Sequence, residues 1–559
     1  MIEKTLTRKP LAISTLSPIH IGCDEDYEPS SFVMDNGLLH VFEPADLLAA
    51  LKPDELKDLG RCAGGADPIG ALQQFFRARA ESLAGLARHW VYVVDAIADE
   101  YAQKAGKTVQ KNAPGASKGS GKEAERNRFQ IARTAFNPID YAPYLPGSAL
   151  KGSIRTAWLN HLNKRENITN ERDSWRLQQR LLHYEKIQDD PFRCVHLVDC
   201  HPEAGNPPPT RVLYAVSKRK RLLREGESSS GGKGDGVFTY FETVPECLPA
   251  AFIGELRLSF VRQPSGRRIG SEISWQDLCT ACNDFYLPKL RAELNHEVLA
   301  AQMDEHWKHL MRELLDGQLG ELIAAHQGFL ARVGRHSGAE SVTLDGVRRI
   351  KILGPRVDGK TSFDFRSETT QKRLTSRTKE GKNDLLPFGW IWVDACDDDQ
   401  YRHHSDSVRA RLAEYSEELR AAHRDRLARN EERERQRQRA REEEAQQRRL
   451  AADRAQAQRQ AETERAAWLA TLTPNLRRVE EFKAAFAARA EQLRGGHERL
   501  NGDYHGRARK LAEKARTGAD WRAEEKRAAA EAIEEYLPKV VEKIDKDQLK
   551  KLKLNELRE

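Results

Sequence analysis

Tyr144-Leu-Pro-Gly-Ser148-Ala-Leu-Lys151-Gly-Ser-Ile-Arg155-Thr-Ala-Trp-Leu159 is the stretch on which the reading of this 559-residue chain turns. Pro146 and Gly147 interrupt the chain and Ser148 is a good N-cap. Leu150, Ile154, Ala157 and Trp158 then mark one apolar helical face, so the spacing predicts a helix that begins here. Ser148, Lys151 and Arg155, three and four apart, share the opposite face. The free N–H groups and dipole of the first turn favour an anion. Gly152 has no Cβ, which would let a phosphate backbone come close. An ordinary capped amphipathic helix with two surface cations fits the same residues.

Upstream, Leu11–Leu16, Pro18-Ile-His-Ile-Gly22, Phe32–Met34 and Leu38–Phe42 read as strands, with Asp35-Asn-Gly37 as a hairpin turn. Helical spacing follows at Leu47, Leu48 and Leu51 and at Ile69, Leu72, Phe75 and Phe76. The fold class is therefore α+β. Three stretches read as flexible basic insertions: Lys104–Arg128, Ser217–Gly236 and Lys360–Asn383. The second joins the strand-like Arg211–Val216 and Val237–Glu242, and the third leads into the strand Trp390–Val393. Basic loops on a β-rich body suit a polyanion, although each is also a normal solvated surface.

The chain carries 92 Lys+Arg and 85 Asp+Glu, with 32% charged and 39% hydrophobic residues, which excludes both a membrane-embedded and a wholly disordered protein. From 401 to 559 there are 38 Lys+Arg and 31 Asp+Glu, leaving 54 of each before it, so this tail holds the whole net charge of +7. Val408, Leu412, Tyr415 and Leu419 form a helical stripe that dissolves into Glu, Arg, Gln and Ala between Arg429 and Arg465. We expect a long solvated helix there, supported by pairs such as Glu432 with Arg435 and Glu443 with Arg448. Apolar residues return at Leu476, Val479, Phe482, Phe486, Leu493, Leu511, Trp521, Ile533, Tyr536, Leu537 and Val540, which fit a small helical domain broken at Pro474, Gly495-Gly496 and Gly518.

Eight scattered cysteines and an N-terminus without an apolar signal core lead us to expect a reduced, cytoplasmic protein. No apolar run approaches the roughly 20 residues of a membrane helix. Cys279 and Cys282 lack the second pair that a structural zinc site requires and read as core residues beside Trp275, Leu278 and Phe285. We expect no metal and no cofactor.

Four segments together, Leu16-Ser-Pro-Ile-His-Ile-Gly22, Leu145–Arg155, Asp190-Pro-Phe-Arg193 with Val198-Asp199, and Leu386-Pro-Phe-Gly-Trp390, resemble the RAMP superfamily of CRISPR-associated RNA-binding proteins. Their order is most similar to the type III-A (Csm) subunits that cap the 3′ end of the CRISPR RNA. The resemblance covers residues 6 to 395. It implies ferredoxin-like, RRM-related RAMP domains, placed here at 1–265 with the basic insertions and at 266–395, followed by a charged α-helical extension at 396–559. It also implies a cytoplasmic effector complex in antiviral defence, with CRISPR RNA, backbone and small subunits and a host nuclease as partners, and no membrane.

By position, the resemblance places RNA contacts at His20 and Gly22, which would end the first strand, at Gly147, Ser148, Lys151, Gly152 and Arg155 on the helix, at Arg193, and at Gly334, Arg335, His336 and Gly338 in a glycine-rich loop. Such contacts position RNA without reading its sequence. Phe238 and Tyr240 are candidates for stacking bases, or for strand core. A scaffold working through the helical tail is a further reading. An RNase remains the runner-up to a non-catalytic subunit, either with His20 as general base and Lys151 or Arg155 stabilising the phosphate, or, by resemblance to the backbone subunits of such complexes, with Asp24 or Asp26 of the acidic loop as the catalytic residue.

Overall fold

Leu11, Ile13, Ser14 and Thr15 are buried along a strand that runs from Glu3 to Thr15, and the fold is assembled around it. The structure, a computed structural model, describes residues 3–65, 68–106, 108–110, 124–126, 129–222, 238–262, 268–269, 273–357, 360–395 and 398–559. In chain order the strand Glu3–Thr15, the helix Gly147–Glu166, the strands Val195–Leu197 and Phe252–Arg262, the helix Trp275–Leu294 and the strand Trp390–Asp394 make a βαββαβ unit. Val195–Leu197 pairs with Phe252–Arg262, which pairs with Glu3–Thr15, which pairs with Trp390–Asp394, every neighbour antiparallel. Gly328–Arg332 is added outside Trp390–Asp394. This is the expected ferredoxin-like arrangement.

The two helices meet through their apolar faces. Leu150, Ile154 and Ala157 of one, and Leu278, Cys279, Cys282, Phe285 and Leu290 of the other, are buried in one core. The two cysteines are thus core residues. Polar ties fix the packing: Tyr286 Oη donates to the Ser153 carbonyl at 3.1 Å, and the Asn283 amide both donates to the Gly328 carbonyl and accepts from the Leu330 N–H.

A second sheet runs Gly22–Tyr27, Ile131–Thr134, Phe238–Thr243, Arg211–Arg219, His89–Val93, Leu38–Val41, Phe32–Asp35, with Gln371–Ser376 pairing Arg211–Arg219. The hairpin turn read from sequence is present, with Asn36 and Gly37 both in the left-handed region at φ 48° and 72°. Two expectations fail here. Pro18–Gly22 is not a strand: the first strand stops at Thr15, an isolated bridge joins Ile19 to Val244, and Gly22 opens the next strand, so His20 sits in the connection. Lys360–Asn383 is not a flexible loop, because it forms the strands Lys360–Arg366 and Gln371–Ser376, with Lys372 buried against Glu293. Residues 107, 111–123, 127–128 and 223–237, which hold most of the other two basic insertions, lie outside the described residues.

Residues 1–426 form one compact unit and 427–559 another. The helix Asp399–Thr471 begins in the first, where Val408 and Leu412 enter the core and Arg409 donates to the Asp394 carboxylate at 2.9 Å. Past Arg426 it is exposed and carries the expected charge pairs, Glu432 with Arg435 at 3.6 Å and, in place of Glu443, Glu444 with Arg448 at 2.5 Å. Glu444 lies one full turn from Arg448, whereas Glu443, five residues away, points elsewhere. Within 427–559, the helices Pro474–Leu493, Asp503–Thr517 and Ala523–Val540 enclose Val479, Phe482, Phe486, Leu511, Trp521, Ile533, Leu537 and Val540. They break where the sequence indicated, at Pro474, after Leu493 and at Gly518. No described helix is long and apolar enough to cross a membrane.

Candidate nucleic-acid interface

Backbone hydrogen bonds draw three distant segments into one knot. Leu16 and Ser17 N–H donate to the Trp390 carbonyl, Gly389 N–H to the Pro18 carbonyl, Val333 N–H to the Gly389 carbonyl, and Arg335 N–H to the His20 carbonyl at 2.8 Å. Glycine is required at two of these crossings. Gly334 has φ +79° and a Cβ there would lie 2.3 Å from the His20 carbonyl oxygen; at Gly389, φ +90°, it would lie 2.2 Å from that of Val333. The helix Gly147–Glu166 is tied to the same place by Ser153 Oγ, which donates to the Arg332 carbonyl at 2.6 Å. The segments around His20, Gly334, Phe388 and Lys151 therefore adjoin in space.

The helix starts at Gly147, with Pro146 as N-cap, so Ser148 lies inside the first turn and does not cap it. An Asp199 oxygen accepts from the Gly147 N–H at 2.8 Å and supplies the anion that the helix terminus favours. Arg155 is likewise engaged: it pairs with Asp190 at 2.8 Å, donates to Gln178 at 3.0 Å and lies over the Phe192 ring. The two carboxylates thus take up part of the positive charge that the sequence offered to phosphate. Lys151 has no hydrogen-bond or ion-pair partner among the described residues. Partial burial and the nearby Arg155 hold its ammonium below the usual lysine range, against the pull of Asp190. Ser148 and Gly152 are exposed beside it.

Arg335 is exposed, lies over Phe241 at 5.5 Å, and its guanidinium has no hydrogen-bond acceptor among the described residues. Gly338 and His336 also have positive φ, 86° and 65°, which turns the loop sharply. Arg193 is exposed and, among the described residues, its side chain hydrogen-bonds only to the Gln188 carbonyl, at 3.4 Å. The cations on offer are therefore Lys151, Arg335 and Arg193.

His20 is 1% exposed. Its Nδ1 stands 2.7 Å from the Glu242 carbonyl oxygen, which can only accept, so Nδ1 carries the proton and Nε2 is a bare acceptor with no hydrogen-bond partner among the described residues. Burial pulls its pKa down to about 4, and that of His336 also to about 4, with Arg373 adding to the second shift. Both imidazoles stand edge-on to Phe241, at 4.7 and 4.9 Å, and are neutral at physiological pH. Asp24 and Asp26 are exposed on the bulged strand Gly22–Tyr27, and no described hydrogen bond joins either to His20. The described residues contain no group of acidic, His and Cys side chains able to hold a metal ion.

Phe238 and Tyr240 belong to the core: Tyr240 Oη donates to the buried Glu100 carboxylate, and Phe238 packs against Tyr214. What the sequence did not reveal is the set of partners, namely Asp190 and Asp199 answering the helix, and Phe241 and Phe388 under His336. Both aspartates stood inside quoted segments, but carboxylates remote in sequence carry no signal of which cation they meet.

The RAMP superfamily profile matches residues 12–321, more than half of the chain. Among solved structures, a chain in the cryo-EM structure of a Csm–crRNA–target RNA ternary complex of a type III-A CRISPR-Cas system is similar at 15% identity, covering 69% of this chain and 100% of that one, with a TM-score of 0.41. The crystal structure of T. onnurineus Csm5 is similar at 14% identity, covering 68% of this chain and 99% of that one, with a TM-score of 0.35. No protein of curated function matches. With a ferredoxin-like sheet, its motif segments knotted at one edge and a family profile over residues 12–321, the chain belongs to the RAMP superfamily.

Proposed function

We propose that this chain is a non-catalytic CRISPR RNA-binding subunit of a type III effector complex. It holds and protects the 3′ part of the guide and contacts the neighbouring backbone subunit. The observation that carries the reading is the convergence, in a RAMP fold, of the His20 and Gly334 segments with the helix that bears Lys151, the side chains of Lys151 and Arg335 each lacking a hydrogen-bond or ion-pair partner among the described residues. Cations on a helix and a sharply turned glycine loop contact phosphates and ignore base identity, as a subunit that must accept any guide requires. The resemblance carried by the order of the four sequence segments supports the Csm-type 3′ position.

The non-catalytic part of the reading rests on His20. A general base needs access to a substrate hydroxyl and a pKa near the working pH. His20 is buried, its pKa is about 4, and it makes no hydrogen bond with Asp24 or Asp26.

The test is to co-express the chain with its neighbouring genes, purify the complex through a tag on this chain, and sequence the bound RNA with mapped 3′ ends. The complex lacking this chain serves as the comparison. Guides that share a 5′ end and whose 3′ ends shorten or blur without the chain are expected. Unchanged 3′ ends would overturn the position. A defined cleavage product that disappears in His20→Ala would restore the nuclease reading.

A further inference from the structure

Between the glycine loop and the strand Trp390–Asp394, the chain makes a hairpin from Ile350–Val357 and Lys360–Arg366 that pairs with no other described strand. Its root is fixed. Arg348 donates to the carbonyls of Glu340 and Thr343 on one side and of Ser367 on the other, and to the Thr343 hydroxyl at 2.8 Å. The Asp345 N–H in turn donates to Asn160 of the Gly147 helix at 2.8 Å. These bonds clamp the base of the hairpin.

The register puts Lys351 opposite Phe365 and Leu353 opposite Phe363, so these four side chains share one face. That face is open: Leu353 is 72% exposed, Phe363 48% and Phe365 52%. Three large apolar side chains together on a two-stranded hairpin are costly to leave in water and mark an interaction site. The rings come with cations, since Lys351 Nζ lies 3.6 Å from the centroid of Phe363 and the Arg349 guanidinium 4.6 Å from that of Phe365. The acidic Asp364 is paired with Arg366 at 2.7 Å.

We propose that this face is a second contact for single-stranded RNA, separate from the Lys151 and Arg335 surface, with unpaired bases stacking on Phe363 and Phe365 and the flanking phosphates taken by Arg349 and Lys351. It rests on the RNA-binding reading above for the nature of the strand. Charge complementarity selects the occupant. An apolar protein groove would strip water from two cations without an answering charge, whereas a nucleotide brings a π-face and a phosphate in one unit. Alternate residues on a strand stand about 6.6 Å apart, a spacing that admits one base between the two rings.

The full-length chain is to be titrated with a short mixed-sequence single-stranded RNA and with the same strand carrying abasic sites in place of bases. Phe363→Ala with Phe365→Ala is expected to weaken binding of the normal strand by about 10- to 100-fold, leaving abasic binding and the salt slope unchanged. Phe363→Trp with Phe365→Trp should retain affinity, and Arg349→Ala with Lys351→Ala should flatten the salt slope on both strands. If the Phe→Ala pair binds like the unaltered chain while Lys151→Ala with Arg335→Ala binds more weakly, the hairpin proposal is overturned and the RNA-binding reading stands. If the unaltered chain binds neither strand, both are overturned. Wild-type RNA affinity combined with loss of co-purifying subunits in the Phe→Ala pair would make the face a protein contact and also overturn the proposal.

Discussion

In residues 1–426, Glu3 pairs with Arg262 and Ala12 with Asp394 along the sheet; in residues 427–559, Phe486 shares one core with Val479 of its own helix and Leu511 of the next. The first unit buries charge as well as apolar surface. Glu293 accepts from the fully buried Arg332, from Lys372 and from the Trp390 indole N–H. Burial takes Arg332 down to about 9, and four imidazoles are driven well below their ordinary value. The second unit gets its core from helical faces and has a single buried carboxylate, Glu525, answered by Thr473 and Asn475. Strand pairing and buried charge go with the surface proposed to hold RNA, whereas the second unit is closed by the packing of helix faces.

The largest test of this contrast is Glu293→Ala. It leaves Arg332 and Lys372 buried without their carboxylate, and breaking such a site costs about 3–5 kcal/mol. Urea unfolding of the full chain should show the transition of residues 1–426 displaced and that of 427–559 in place. If both move together, the two units do not unfold separately and the contrast falls.

Acid should separate the units next. His20, His336 and His423 have folded pKa values of about 4 and His89 about 3, all below the 6.5 of the free side chain, so the fold favours their neutral forms. Their contribution is fully present above pH 6.5 and is lost as pH falls from 6.5 toward 4. The loss is on the order of a few kcal/mol for each imidazole, because each tenfold change in proton affinity is worth about 1.4 kcal/mol. In 427–559 burial lowers His505 more modestly, so thermal melts should show 1–426 weakening first across that window. Equal weakening would remove the buried imidazoles as the cause.

Gly334→Ala forces a left-handed alanine onto the His20 carbonyl oxygen, and should cost about 1–3 kcal/mol together with RNA affinity. Wild-type stability would show that the knot has room. Smallest is Glu444→Ala on the exposed helix, worth about 0.2–0.5 kcal/mol and no change in RNA binding. A larger effect would mean that this face meets a partner.

The same contrast governs what was legible in the sequence. The helices of 427–559 and their breaks at Pro474 and Gly518 could be read because each signal is local. So could the Asn36-Gly37 turn and the stripe from Val408 to Leu419. The Ser148 cap, the free Arg155 and the basic loop at Lys360–Asn383 were misread for one reason. Asp199, Asp190 and Glu293 reach these residues only through the fold, and a lysine bound for a buried carboxylate looks the same in sequence as one bound for solvent. Among the candidate residues, Lys151 and Arg335 are exposed or half-exposed cations as expected, while His20 is interior.

The central claim is that Lys151 and Arg335 hold RNA by its backbone. The direct measurement is the affinity of the full-length chain for unrelated single-stranded RNAs across a salt series, for the unaltered protein and for Lys151→Ala with Arg335→Ala. The account predicts weaker binding to every sequence alike, with the slope of log affinity against log salt reduced by about 1.4 for two lost phosphate contacts. Unchanged affinity and slope would contradict it.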